Sequence, residues 1–180
     1  MSKSHKFTIR KEKKTDFLQV SNLIQDAFKN EINSDHREHV LVENLRKSNS
    51  FVPELSLVAE IQDKIVGYIL FSKIVIVNSK KTYETLALAP VAVDSIYQHR
   101  GIGSQLILNG HKIARDLGYN SVILLGHETY YPRFGYKKAS SYDIKLPFDV
   151  PDVNCMAIEL TMHGLQNING TVQYPKEFYI

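Results

Sequence analysis

Gln98-His99-Arg100-Gly101-Ile102-Gly103 is the stretch of this chain best suited to chemistry. The apolar run Leu86 to Val93 precedes it and reads as a strand, and Ile102 to Leu117 follows as an amphipathic helix. A glycine-bearing turn between strand and helix presents several backbone N–H groups at the positive end of a helix dipole. Such a turn can cradle a phosphate or pyrophosphate with few charged side chains. The spacing lacks the Lys-Ser or Lys-Thr pair of a Walker A loop and the third glycine of the dinucleotide fingerprint. Taken alone, the hexamer could equally be a strand-to-helix connection that binds nothing.

Two flanking segments bear on that choice. Leu88-Ala89-Pro90-Val91-Ala92-Val93-Asp94 lies just upstream, and Tyr130-Tyr131-Pro132-Arg133-Phe134-Gly135-Tyr136 lies downstream. The pattern Gln-x-x-Gly-x-Gly, with these neighbours in this order, resembles the coenzyme A pyrophosphate loop of the GCN5-related N-acetyltransferases. The resemblance covers about Phe7 to Leu160 and is strongest to the small bacterial branch with the motif Tyr-Tyr-x-Arg-Phe-Gly-Phe. Tyr136 here replaces the final phenylalanine.

The resemblance implies a mixed α/β acyl-CoA N-acyltransferase fold, with a twisted, mostly antiparallel sheet flanked by helices. It implies one domain over 1–180, with a core at 7–160 and a C-terminal tail at 161–180. The implied activity is direct transfer of the acetyl group of acetyl-CoA to a primary amine of a small molecule or peptide, in a ternary complex. A non-catalytic acyl-CoA-binding or sensing module is the alternative. A homodimer accords with family habit.

Acetyl transfer needs a held thioester, a deprotonated amine, a donor for the developing oxyanion and a proton for the leaving thiolate. Backbone groups of Gln98, His99, Arg100, Gly101, Ile102, Gly103 and Ser104 are the expected pyrophosphate site, and His99 or Arg100 could add charge-assisted contacts. The strand backbone at Val91, Ala92 and Val93 could pair with the pantetheine arm and polarise the thioester carbonyl. The resemblance assigns Tyr131 to the cofactor's sulfur end as general acid. A tyrosine pKa near ~10 lies above that of a thiol at ~8.5, so donation is feasible without being strongly driven. Packing alone is the competing role for Tyr131, and Tyr130 is its register-shifted rival. Glu84, His127 with Glu128, and a water chain are the options for the general base.

Composition sets the limits. A chain of 180 residues with 43% hydrophobic and 23% charged residues suits one globular domain. The apolar run Ile65 to Phe71 is too short to span a membrane, and no apolar signal region follows the N-terminal charges. With its single cysteine, Cys155, reading as core, the chain is expected to be cytoplasmic. The net charge is +3, much of it from Lys3, Lys6, Arg10, Lys11, Lys13 and Lys14 against Glu12. With Phe7 as the lone interleaved aromatic, that segment reads as a solvated end and strand edge, not a nucleic-acid site. The histidines, His36 and His39 included, form no ligand cluster, so no metal is expected.

The positioning elements follow from periodicity and turn residues. A strand is expected at Phe7–Arg10, then a helix N-capped by Thr15 with Phe17, Val20, Ile24 and Ala27 or Phe28 on one face. A second helix spans about His36 to Lys47, with Val40, Leu41, Asn44 and Leu45 on its better face. Leu55–Ile61 and Lys64–Val77 form a hairpin, and a strand from Tyr83 to Val93 extends an antiparallel meander. Pro90 suggests an edge or a bulge. Ile102, Leu106, Ile113 and Leu117 mark the buried helix stripe, with Gly110 allowing close approach and Gly118 ending the helix. Ser121–Leu125 completes a βαβ unit. Strands near Ser141–Lys145 and Cys155–Leu160 follow, then a tail whose Tyr174, Phe178 and Tyr179 pack back.

Overall fold

The computed structural model describes residues 6–179. Its strands are β1 (Thr8–Lys11), β2 (Phe51–Ile61), β3 (Lys64–Val77), β4 (Thr82–Val93), β5 (Ser121–Leu125), β6 (Lys137–Lys138), β7 (Ile144–Lys145), β8 (Cys155–Glu159) and β9 (Gly170–Gln173). Its helices are α1 (Phe17–Phe28), α2 (Glu38–Leu45) and α3 (Ile102–Asp116). The chain forms two compact units, one from residues up to Phe71 with Ala89–Gly110, the other from Ser72–Leu88 and residues from His111 on. β3, β4 and α3 contribute to both. No helix among the described residues is long and apolar enough to cross a membrane.

In the first unit the strand order is β1-β2-β3-β4. β1 runs antiparallel to β2, from Thr8↔Glu60 to Lys11↔Leu57. Gln62 (φ 48°) and Asp63 (φ 62°) are both left-handed, as a two-residue hairpin turn between twisted strands requires. β2 starts at Phe51, earlier than the sequence suggested. Pro53 lies beyond the β1 ladder.

Thr15 does not cap α1. Lys14–Asp16 forms a 3-10 turn, and Asp16 accepts from the Lys13 N–H (2.7 Å) and from both ends of the Arg10 guanidinium (2.6 and 3.1 Å). A carboxylate with three charge-assisted or backbone donors outcompetes a hydroxyl for that corner. The basic segment is therefore less solvated than its composition implied. Arg10 also bonds Glu60 (2.7 Å), and Lys11 reaches Glu54 (3.0 Å), while Lys3 lies outside the described residues.

Glu12 is buried. It pairs with Arg46, just past α2, and accepts from Ser56 Oγ (2.7 Å), which in turn meets Tyr68 Oη (2.9 Å). Arg46 also lies over the Phe17 ring at 4.0 Å. The core-facing residues of α2 are Val42 and Leu45; of the expected face, Val40, Leu41 and Asn44 are only half-buried. Removing one partner of a buried pair strands the other charge.

α3 packs on β3 at two glycines. A Cβ at Gly67 would lie 2.8 Å from Ile102 Cγ2, and one at Gly110 would overlap the Phe71 ring. The buried stripe follows Ile102, Leu106, Gly110 and Ala114, so Ile113 is only half-buried and Leu117, beyond the helix end, is 46% exposed. Each four-residue step turns the stripe by about 40° round a 3.6-residue helix, which carries it on to Ala114 and leaves Ile113 at its edge. Gly118 (φ 92°) ends the helix as expected.

The second unit orders β4-β5-β8-β6, with β7 pairing β9 and β9 pairing β3. β4 and β5 are parallel through Leu86↔Val122 and Ala87↔Ile123, which makes β4–α3–β5 the expected βαβ unit. β4 continues to Val93 through Pro90, which lies beyond the residues paired with β5. β8 is antiparallel to β5 from Ser121↔Glu159 to Leu125↔Cys155. The strand expected near Ser141–Lys145 is mostly a 3-10 turn, Ala139–Tyr142, leaving Ile144–Lys145 as β7. β9 comes from a tail that carried only turn signals. Its Val172 is fully buried, and Tyr174 and Phe178 pack on the same core as Ile76, Ile123 and Ala157. Cys155 belongs to this core, and burial pushes its thiol pKa up.

Arg46→Met is expected to cost about 3–5 kcal/mol, because Glu12 is left as an uncompensated buried charge. Urea denaturation measures this, and adding Glu12→Gln to the same variant should recover part of the loss.

Candidate functional site

The turn from β4 into α3 is built by backbone bonds and one carboxylate. Asp94 N–H donates to Val66 O (2.9 Å), Asp94 Oδ1 accepts from Ile96 N–H (3.0 Å), and Lys64 Nζ meets Oδ2 (2.8 Å). Burial works to raise the Asp94 carboxyl pKa, but the Lys64 and Ile96 donors outweigh it and leave the group below the usual range. Asp94 thereby caps the 3-10 turn Ser95–Tyr97. Gln98 is extended, with its amide on Val93 O (3.3 Å).

The chain then turns through two left-handed residues, His99 (φ 61°) and Gly101 (φ 81°), that flank Arg100. A Cβ at Gly101 would meet open space, so the glycine serves its backbone angle and not a close approach. The first helical bond runs from Gln105 N–H to Gly101 O (2.9 Å). Helix geometry leaves the Ile102, Gly103 and Ser104 N–H groups without intrahelical acceptors at the positive end of the dipole. Gln98 to Gly101 are exposed, Ile102 is buried as the anchor, and Lys64 and Arg100 lie 5.3 and 5.2 Å from the Tyr97 ring centroid. An exposed turn whose helix N–H groups lack intrahelical acceptors, with two cations nearby, is suited to an anion.

In the second unit, β5 ends at Leu125 and the chain passes Gly126 to His127. Tyr130 and Tyr131 N–H both point at His127 O (3.0 and 3.5 Å). A Cβ at Gly126 would overlap the Tyr131 ring, so the aromatic lies directly on backbone. Asn154 fixes that backbone from across the sheet: Gly126 N–H donates to Asn154 O, and Asn154 Nδ2 donates to Gly126 O, both at 3.0 Å. The Tyr131 ring meets Tyr130 and Tyr136 edge-on, at 5.1 and 5.7 Å. Burial raises the Tyr131 phenol well above the ordinary tyrosine value. Tyr130 is held differently, with the Arg133 guanidinium over its ring at 4.0 Å. A cleft of about 480 Å³ opens beside this turn, lined by Glu128, Pro132, Tyr136, Lys137 and Met156 among others.

Of the base candidates, His127 and Glu128 share this turn with Tyr131, and both are exposed. Glu84 does not join them. The Leu86↔Val122 register sets Glu84 level with Asn120, before β5 begins, whereas His127 follows the far end of β5. At ~3.3 Å per residue, Asn120 to Leu125 alone spans roughly 16 Å. Sequence reasoning missed Gly126 and Asn154 as supports and His111 as the partner of Tyr136 Oη (2.8 Å). Asn154 lies 28 residues from Gly126, and no local signal joins them. His36 Nδ1 lies 2.8 Å from Phe28 O, and no group of three His, Cys, Asp or Glu among the described residues could hold a metal ion.

A parallel β4–α3–β5 unit with an anion-ready turn at its crossover, inside this strand order, defines the acyl-CoA N-acyltransferase type of fold. The Acetyltransferase (GNAT) family profile matches residues 17–136, and the chain belongs to that family. The uncharacterized N-acetyltransferase YjhQ of Escherichia coli K12 is 34% identical over 149 residues, spanning 82% of this chain and 80% of that protein. The crystal structure of the GNAT family N-acetyltransferase YhbS from Escherichia coli, in complex with CoA, superposes with a TM-score of 0.89 at 25% identity. That match covers 100% of this chain and 96% of the other. A GNAT family acetyltransferase from Brucella melitensis in complex with acetyl-CoA gives 0.79 at 29% identity, covering 97% and 99%.

His111 supplies a pH test. Burial, then the Arg115 charge, pushes its imidazole down to about 4. A histidine depressed below its unfolded value of ~6.5 stabilises the fold fully only above that value, and loses the contribution as pH falls towards the folded one. Unfolding stability should therefore drop on acidification from about pH 6.5 to 4, by on the order of 3 kcal/mol from this group. Thermal scans across that window should show a shallower decline for His111→Gln.

Proposed function

We propose that this chain transfers the acetyl group of acetyl-CoA to the primary amine of a small-molecule or peptide acceptor, by direct attack in a ternary complex. The observation that carries the reading is the His99–Ser104 turn, with its left-handed residues and unused helix N–H groups. The CoA and acetyl-CoA complexes of the YhbS and Brucella relatives support the same cofactor. Acetyl-CoA supplies a thioester, which an amine can attack without a metal or a covalent enzyme intermediate.

Each residue has a modest task. Backbone N–H groups from Gln98 to Ser104 hold the pyrophosphate, and Arg100 or His99 adds a charge-assisted contact at its exposed side. The β4 backbone at Val91, Ala92 and Val93 pairs with the pantetheine arm as a strand would and offers an N–H to the thioester oxygen. Tyr131 gives its proton to the departing thiolate. Its raised pKa keeps that proton in place through neutral pH, and water-poor surroundings also make a thiolate more basic than in water. His127 or water takes the amine proton; Glu84, level with the other end of β5, takes no part.

Calorimetric titration with acetyl-CoA, with ATP and NAD as controls, tests the cofactor. Gly103→Glu places a carboxylate at the phosphate position and should abolish CoA binding in a folded protein; retained affinity would remove the turn from the site. Tyr131→Phe should lower kcat by about 10²-fold, the usual size of a general-acid contribution, with acetyl-CoA affinity within a few fold. An undiminished rate with chemistry limiting would reduce Tyr131 to packing.

A further inference from the structure

We propose that the hydrogen-bonded pair His111–Tyr136 positions the Tyr131 phenol; the inference rests on the acid role given to Tyr131 above. Tyr131 is braced on several sides. Its ring lies on the Gly126 backbone, which Asn154 holds by two hydrogen bonds, and Tyr130 meets it edge-on. Tyr136 adds a further edge-on contact to the same ring.

The local chain makes this return possible. Tyr131–Phe134 forms a 3-10 turn, and Gly135 at φ 98° reverses direction, its N–H donating to Pro132 O (3.0 Å). Tyr136 then enters the core at 3% exposure and presents its ring to Tyr131 at 5.7 Å and an interplanar angle of 76°. Ring packing alone would be served by phenylalanine. The hydroxyl adds a directional constraint, because a buried phenol needs a partner and finds one in His111 Nε2 at 2.8 Å.

His111 projects from α3, is 5% exposed, and its ring centroid lies 5.5 Å from that of Tyr136. One hydrogen bond therefore ties the ring that abuts Tyr131 to a helix, on a rigid element and not on the turn itself. T-shaped aromatic pairs have an orientation preference, so fixing one ring restricts its neighbour. His111 and Tyr136 act through Tyr131; they are positioning residues.

The test uses Tyr136→Phe in the full chain, with acetyl-CoA and hydroxylamine, a nucleophile that needs neither deprotonation nor an acceptor pocket. kcat should fall about tenfold, since small misplacement of a reacting group is costly. The KM for acetyl-CoA should stay within about twofold, as uniform binding is untouched. The same substitution should cost nothing further in a Tyr131→Phe background, because coupled sites are not additive. An equal loss in both backgrounds would make the pair core packing only and overturn the proposal.

A second readout is independent of turnover. The Tyr131 ring ζ-carbon resonance, assigned by its disappearance in Tyr131→Phe, should shift or broaden in Tyr136→Phe; an unchanged resonance overturns the proposal. If Tyr131→Phe leaves kcat intact, the acid role fails separately; in that case, or where hydroxylamine is not acetylated, the resonance alone decides the positioning. Should Tyr136→Phe fail to fold, His111→Leu/Tyr136→Phe removes both polar groups together and is read in the same way.

Discussion

The contact of α3 with β3 through Gly67 and Gly110 is the constraint on which the Gln98–Ser104 turn depends. Side chains at either position would collide with Ile102 or Phe71, so the helix can lie on the strand only where both carry none. That approach buries Ile102, Leu106 and Ile107 almost completely, each worth roughly 1.5–3 kcal/mol of transfer free energy. The helix start is thereby held in one place, and with it the N–H groups of residues 102–104. The character of that turn is made by packing. Its polarity comes from where the helix begins, and Lys64, Asp94 and Arg100 only trim it.

The second unit is organised by the opposite electrostatic rule. Around Tyr131 the structure favours neutral forms: burial raises the Tyr131 and Tyr136 phenols and lowers the His111 imidazole. Attack on a thioester needs an uncharged amine and an acid that keeps its proton until the thiolate departs. Surroundings that penalise charge serve both needs. A chain can thus combine a charge-hungry turn with a charge-averse one, provided each is fixed by its own packing.

What could be read from sequence follows the range of the interaction. The Gln98–Gly103 turn, the Gln62-Asp63 hairpin and β5 are written in consecutive residues and appear where their spacing puts them. The features that escaped are pairings over distance. Thr15 lost its capping role to Asp16, which Arg10 and the Lys13 N–H engage. Glu12 looked like one more surface charge until Arg46, 34 residues on, met it in the core. Glu84 and His127 stood together as base candidates, and only the parallel register shows that they lie at opposite ends of β5. β9 carried turn residues yet became a strand because β3 and β7 offered it edges.

The two hydrogen bonds between Gly126 and Asn154 have an architectural meaning of their own. They close a neck between the end of β5 and the start of β8, spanning residues 127–153, from within which β6 pairs with β8 and β7 with β9. Once a neck is shut, the length of the excursion beyond it matters little: doubling a flexible loop costs only about 0.6 kcal/mol in closure entropy. Segments such as the exposed Asp149–Val150 stretch can then be lengthened or rewritten while β5 and β8 keep their register. The closure confines that freedom to the linkers between β6, β7 and β8, while the paired strands and the Tyr131 turn stay fixed.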